Sequence, residues 1–147
     1  MEAIMNDDTI KLLRECDAGI EMGVATINEV YEDVENEELK NFLGEARTKH
    51  LEMGASLKRE LDKYADDGKS PNPMAKGMSY LKTNMKMAFE PSDQTIAELV
   101  TDGCNMGVKS LNKYLNQFTD ASEKAKEITK ALIDIEEKLA IDIRRFL

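Results

Sequence analysis

The chain has no tryptophan, three prolines, two cysteines and a single histidine, and aromatic residues make up only 5% of it. Each shortage excludes something. With proline confined to positions 71, 73 and 91, long stretches on either side are free to form uninterrupted helix. No apolar run approaches the ~20 residues that span a bilayer, so no membrane partner is expected. Two cysteines, Cys16 and Cys104, are too few for a disulfide framework, and their expected state is the buried reduced thiol of a cytoplasmic protein. Met1-Glu2-Ala3-Ile4 offers no basic segment followed by an apolar one, so no signal peptide is expected. Positive charge is short as well: 20 Lys and Arg face 29 Asp and Glu, for a net charge of −9. That balance argues against a nucleic-acid partner, which calls for a basic stripe.

What is present is repetition. Gly19-Ile20-Glu21-Met22-Gly23-Val24 returns 84 positions later as Gly103-Cys104-Asn105-Met106-Gly107-Val108. The register holds outward: Asp8 matches Ser92, Leu12 matches Ile96, and Ile27-Asn28 matches Leu111-Asn112. Each copy is long enough for two helices. The expected fold is therefore all-α, a four-helix bundle of two duplicated antiparallel hairpins in one domain spanning 1–147.

The first hairpin is expected over about 8–66. Ile10, Leu13, Asp17, Ile20, Val24, Ile27 and Tyr31 recur by threes and fours, with Asp8 placed to cap the helix they define. Asn36 followed by Glu37 and Glu38 reads as a new N-cap with an acidic first turn, so the connection is very short and the two helices are antiparallel neighbours. The second helix carries Leu39, Leu43, Ala46, His50, Met53 and Leu57 inward and is expected to stop near Gly68 as its C′ residue. The second hairpin, about 93–147, opens at Pro91-Ser92-Asp93, places Ala97, Thr101, Cys104, Val108 and Leu111 inward, turns at Asp120–Glu123, and runs out through Ala125, Ile128, Leu132, Ile135, Leu139 and Ile143. Its turn is two residues longer, so His50 matches Glu136 and Met53 matches Leu139.

Between the hairpins, about 67–92, two prolines at 71 and 73 make a loop, and Met78, Leu81, Met85 and Phe89 mark a short amphipathic helix. A connection of this length can travel the bundle, since a 28-residue helix covers about 42 Å. It is also the basic part of the chain. Residues 69–89 hold four lysines and no acid, which leaves −13 for the rest of a chain at −9. Lying against an acidic bundle explains that imbalance; docking an acidic partner through Lys76, Lys82 and Lys86 is the alternative.

Two hairpins, a long crossover and internal duplication resemble the ferritin and rubrerythrin superfamily. The stretch Gly19–Ala25, the turn Glu35-Asn36-Glu37-Glu38-Leu39 and the crossover segment Ser79-Tyr80-Leu81-Lys82 are similar to small bacterial ferritin-like families of unknown function. In members with a di-iron centre, two helices each give a Glu and two each give a Glu-x-x-His. This sequence departs from that pattern. Arg47 stands three residues before His50, and Met53 and Leu139 occupy the places where histidines would fall. A standard di-iron site is not encoded, and no cofactor is expected.

One constellation remains. Antiparallel pairing about each turn brings Glu21, His50, Asn105 and Glu136 to one height near mid-bundle. Three readings stay open: a hydrogen-bonded polar layer, with Glu21 and Asn105 facing solvent as its plainest version; a single divalent metal (Zn, Mn or Fe) on Glu21, His50 and Glu136; and a pocket for a small polar ligand. Asp17 and Thr101 form a further repeat-related pair, read as a structural contact. Gly19, Gly23, Gly103 and Gly107 fall in mid-helix, where each costs about 1 kcal/mol against alanine; close approach of the first and third helices is their expected cause. No nucleophile with a base and an orienting group is apparent. The expectation is a non-catalytic structural or interaction protein, as a homodimer or with a protein partner, and the alternative is a metal-binding or oxidase-like relative.

Overall fold

The structure, a computed structural model, describes residues 7–71 and 92–147, and the regular elements among them are all helical. Helix α1 (Asp7–Val30) ends in a 3-10 turn at Tyr31–Asp33. Helix α2 (Glu37–Asp62), α3 (Asp93–Gln117) and α4 (Glu123–Ile143) follow, and a last 3-10 turn spans Arg144–Phe146. The short helix expected over Met78–Phe89 lies outside the described residues.

The helix starts follow local chemistry. Asn36 Oδ1 accepts from the Glu38 and Leu39 amides at 2.9 and 3.0 Å, Ser92 Oγ from Thr95 at 3.1 Å, and Ser122 Oγ from Ala125 at 3.1 Å. Each satisfies amide groups that the first turn of a helix leaves without an internal partner. The α2 stop differs from expectation. The helix ends at Asp62, and the Asp66 amide reaches back to the Leu61 carbonyl and that of Ala65 to Asp62, a Schellman closure with Ala65 at C′. Ala65 therefore holds φ +54°, and Gly68 (φ +88°) is a second left-handed residue further on. A left-handed conformation strains a residue with a Cβ. Ala65→Gly is expected to stabilise the fold by about 0.5–1 kcal/mol, read as a higher urea midpoint with unchanged slope.

Packing order and direction come from the core. One cluster gathers Leu12 and Cys16 of α1, Leu57 and Leu61 of α2, Leu111 of α3, and Ala125 and Leu132 of α4. The other gathers Ile27 and Val30 of α1, Leu39 and Leu43 of α2, Ile96 and Val100 of α3, and Leu139 and Ile143 of α4. So α1 and α4 run one way while α2 and α3 run the other. Helix α1 packs beside α2 and α3, and α4 beside the same two, so all four lateral contacts are antiparallel. The chain leaves α2 at one end of the bundle and enters α3 at the opposite end. On α3 the buried stripe is Ile96, Val100, Cys104 and Leu111, with Thr101 and Val108 only half-buried. Each fully buried leucine contributes about 1.5–3 kcal/mol relative to exposure.

Each turn is tied down by the other hairpin. The Asp93 carboxylate accepts from the Glu35 and Asn36 amides, both at 2.9 Å. Asp8 Oδ2 accepts from the Asp120 amide at 3.1 Å and Thr9 Oγ1 from Ser122 at 2.7 Å. Asp8, expected as a helix cap, thus serves the distant turn. Asp17 likewise accepts from the Lys69 amide at 2.9 Å, and the Arg14 guanidinium pairs with Asp66 at 2.5 Å; together they fasten the chain beyond α2 onto α1. Gly44 gives room to Tyr31, whose hydroxyl would lie 3.3 Å from a Cβ there, while Lys40 and Arg47 sit over the same ring at 4.9 and 4.2 Å from its centroid.

Candidate functional site

His50 faces inward because it continues the α2 stripe of Leu39, Leu43, Ala46 and Leu57, all buried. It is 1% exposed. Its Nδ1–H donates to the Ala46 carbonyl, one turn back, at 2.7 Å. Its Nε2 meets Glu136 Oε1 at 2.5 Å, and Glu136, on the α4 stripe between Leu132 and Leu139, is 8% exposed. Two positions that correspond in the repeat therefore meet one another, in the layer between the two apolar clusters.

The hydrogen bonds fix the protons. A carbonyl only accepts, so Nδ1 must carry hydrogen. Nε2 and a carboxylate oxygen at 2.5 Å then need one proton between them, since two facing lone pairs at that distance repel. The pair is an imidazolium–carboxylate or its neutral equivalent, with a single shared proton. Burial acts to lower the His50 pKa, and the hydrogen bond to Glu136, its charge and the Ala46 carbonyl outweigh it, so the pKa lies above the ordinary 6.5.

The surroundings are small and enclosed. From α1, Gly23 backs onto the ring: a Cβ there would lie 2.9 Å from His50 Nε2 and 3.0 Å from Cδ2. From α3, a Cβ on Gly107 would lie 3.6 Å from Glu136 Oε2. Cys104, also on α3 and buried, stands against the Glu136 carboxylate; burial and that negative charge both push its thiol pKa up. Cys16 lies away from this layer. Its thiol donates to Thr129 Oγ1 at 3.2 Å, the hydroxyl hydrogen of Thr129 being engaged with the Ala125 carbonyl at 2.8 Å. Burial raises the Cys16 pKa to about 11, against a smaller lowering from that hydrogen bond. At neutral pH both sulfurs are protonated and neither is a ready nucleophile.

Of the four residues expected in the central layer, the structure brings His50 and Glu136 together and leaves Glu21 and Asn105 exposed. Matching heights along antiparallel helices says nothing about rotation. One step along a helix turns a side chain by about 100°, and the inward positions belong to Ile20 and Cys104, both buried. Cys104 is the neighbour that height matching missed, although its place on the inner stripe of α3 was visible. Among the described residues, no three His, Cys, Asp or Glu side chains converge so as to hold a metal ion.

The glycines divide. Gly23 and Gly107 face the polar pair, whereas a Cβ on Gly19 or Gly103 would meet nothing within 4 Å, and both are exposed. The motif makes room for the pair at two positions and leaves the other two on the outside of their helices, in place of a seam closing α1 onto α3.

Two surface grooves are present. One, of about 210 Å³, runs between α2 and α4 over Phe42, Ala46, Ile135 and Leu139, rimmed by charges of both signs that include Glu45 and Lys138. The other, of about 430 Å³, is lined by Lys11, Arg14, Glu15, Lys69, Gln117 and Phe118. Its cations are engaged: Lys11 with Asp7, Arg14 with Asp66, Lys69 with Glu15. The other lysines expected to form a basic docking patch, Lys76, Lys82 and Lys86, lie outside the described residues. No described helix is long and apolar enough to cross a membrane. Compared with family models, curated proteins and solved structures, the chain matches none.

Proposed function

We propose that this chain is a non-catalytic, ferritin-like scaffold, built from a duplicated hairpin, in which a proton-sharing His50–Glu136 pair occupies the mid-bundle position where metal ligands would otherwise sit. The observation that carries this reading is the pairing itself. The two polar groups that could turn inward satisfy one another at 2.5 Å, His50 spends its other nitrogen on Ala46, and Glu21 points elsewhere. Duplication is supported by the reciprocal turn ties, in which Asp8 and Thr9 do for one turn what Asp93 does for the other; Thr9 and Asp93 stand 84 positions apart, as the repeat requires. A scaffold acts through its surface, and the partner we assign first is a second copy of the chain. Two free, buried thiols suit the reducing cytoplasm.

Elemental analysis of protein purified without chelator, alongside His50→Ala, tests the reading. The expected result is no stoichiometric metal in either sample. About one metal per chain, lost in His50→Ala, would overturn it in favour of a single divalent ion on His50 and Glu136, with Glu21 swung inward. Light scattering on the same samples is expected to give two chains per particle.

A further inference from the structure

We propose that the His50–Glu136 pair is a proton-operated latch between the two hairpins: with its shared proton in place α2 and α4 are joined at mid-bundle, and withdrawal of that proton opens the layer to water. This goes beyond the scaffold reading and rests only on the geometry of the pair. His50 belongs to the first hairpin and Glu136 to the second, so their contact bridges the two halves.

Neither tautomer of a neutral imidazole can sit beside an ionised Glu136 without conflict. With hydrogen on Nδ1, the Nε2 lone pair faces the carboxylate across 2.5 Å. With hydrogen on Nε2, the bare Nδ1 faces the Ala46 carbonyl across 2.7 Å. One repulsive contact therefore remains after deprotonation, in a buried site. Among the described residues, the groups facing the pair offer no second proton acceptor or counter-charge. Helix α1 presents the backbone of Gly23. Helix α3 presents Gly107 and the Cys104 thiol, whose hydrogen serves Glu136 and not the imidazole. Neither Gly23 nor Gly107 has a side chain to refill the space, so relief comes from water entering as the hairpins part.

The direction with pH follows. The folded His50 pKa lies above the ordinary value of 6.5, so the latch is closed at and below that value and opens as pH rises through the raised pKa.

Amide hydrogen exchange on the full-length chain, followed from pH 6 to 10 and corrected for the intrinsic pH dependence of exchange, provides the test; His50 ring resonances report the titration in the same samples. Protection at residues 47–54 and 133–140 is expected to fall at least tenfold across the His50 titration, while the amides around Leu12 and Leu61 hold. Glu136→Gln provides the control. Its side-chain N–H can donate to Nε2 of a neutral imidazole, so the variant is expected to stay closed and flat over the same range. Unchanged central protection through the wild-type titration would overturn the latch. So would a parallel loss in Glu136→Gln.

Discussion

His50→Leu is expected to cost the fold about 3–5 kcal/mol at pH 7, the range for breaking a buried pair by removing one partner. Leucine fills much of the imidazole's volume, so the loss is electrostatic and not a cavity. Glu136, 8% exposed, keeps the Cys104 thiol beside it but loses its cation, and must either stay charged in a buried layer or take up a proton. Glu136→Leu is expected to be milder, about 1–3 kcal/mol, because the ring it leaves behind can be neutral with Nδ1–H still on Ala46. The double replacement His50→Leu/Glu136→Leu removes both demands and joins the two apolar clusters into one. Its stability is expected to equal the wild type or exceed it by about 1–4 kcal/mol. Urea midpoints for the four proteins give the cycle directly. If His50→Leu proves as mild as Glu136→Leu, or the double variant is the weakest of the set, the pair is not what orders this layer.

Gly23→Ala is expected to destabilise by about 1–3 kcal/mol, the usual range for overfilling a packed site, although alanine favours helix by about 1 kcal/mol. The new Cβ would lie 2.9 Å from His50 Nε2. A flexible side-chain end could move away, but this ring is held at both nitrogens. Gly19→Ala and Gly103→Ala are expected to do the opposite and stabilise by about 0.5–1 kcal/mol each, since nothing lies within 4 Å of either Cβ. Gly107→Ala would place its Cβ 3.6 Å from Glu136 Oε2, an ordinary contact, and falls between them. Thermal unfolding of the four single variants should separate Gly23 from the rest. Four alike stabilisations would mean that the His50 ring is free to move.

Much of the architecture is legible in the residues alone. Stripes such as Leu39, Leu43, Ala46 and Leu57 declare a helix and its inward face. Asn36 before two glutamates declares the α2 start, and its side chain does cap that helix. The α2 stop is not legible, because Gly68 looks like the natural left-handed residue. Backbone hydrogen bonds settled on Ala65 instead, a strained choice that composition does not announce. Part of the site was legible too: His50 continues a stripe and points inward, whereas Glu136 stands one place beyond the expected stripe residue Ile135 and is reached only through its match to His50. Glu21 and Asn105 share their height but not their rotation. The four glycines look alike in sequence, and what separates Gly23 from Gly19 is a ring carried by another helix.

The reciprocal fastening of the turns also sets an order of events as the chain is made. The first hairpin emerges with the Glu35 and Asn36 amides waiting for Asp93, which follows them by 58 and 57 residues. The second turn finds its partners, Asp8 and Thr9, already made, 112 and 113 residues earlier. Neither half can finish its own corner. The nascent chain therefore carries an incomplete first corner until Asp93 has been made, and the second corner closes later still, once Asp120 and Ser122 follow.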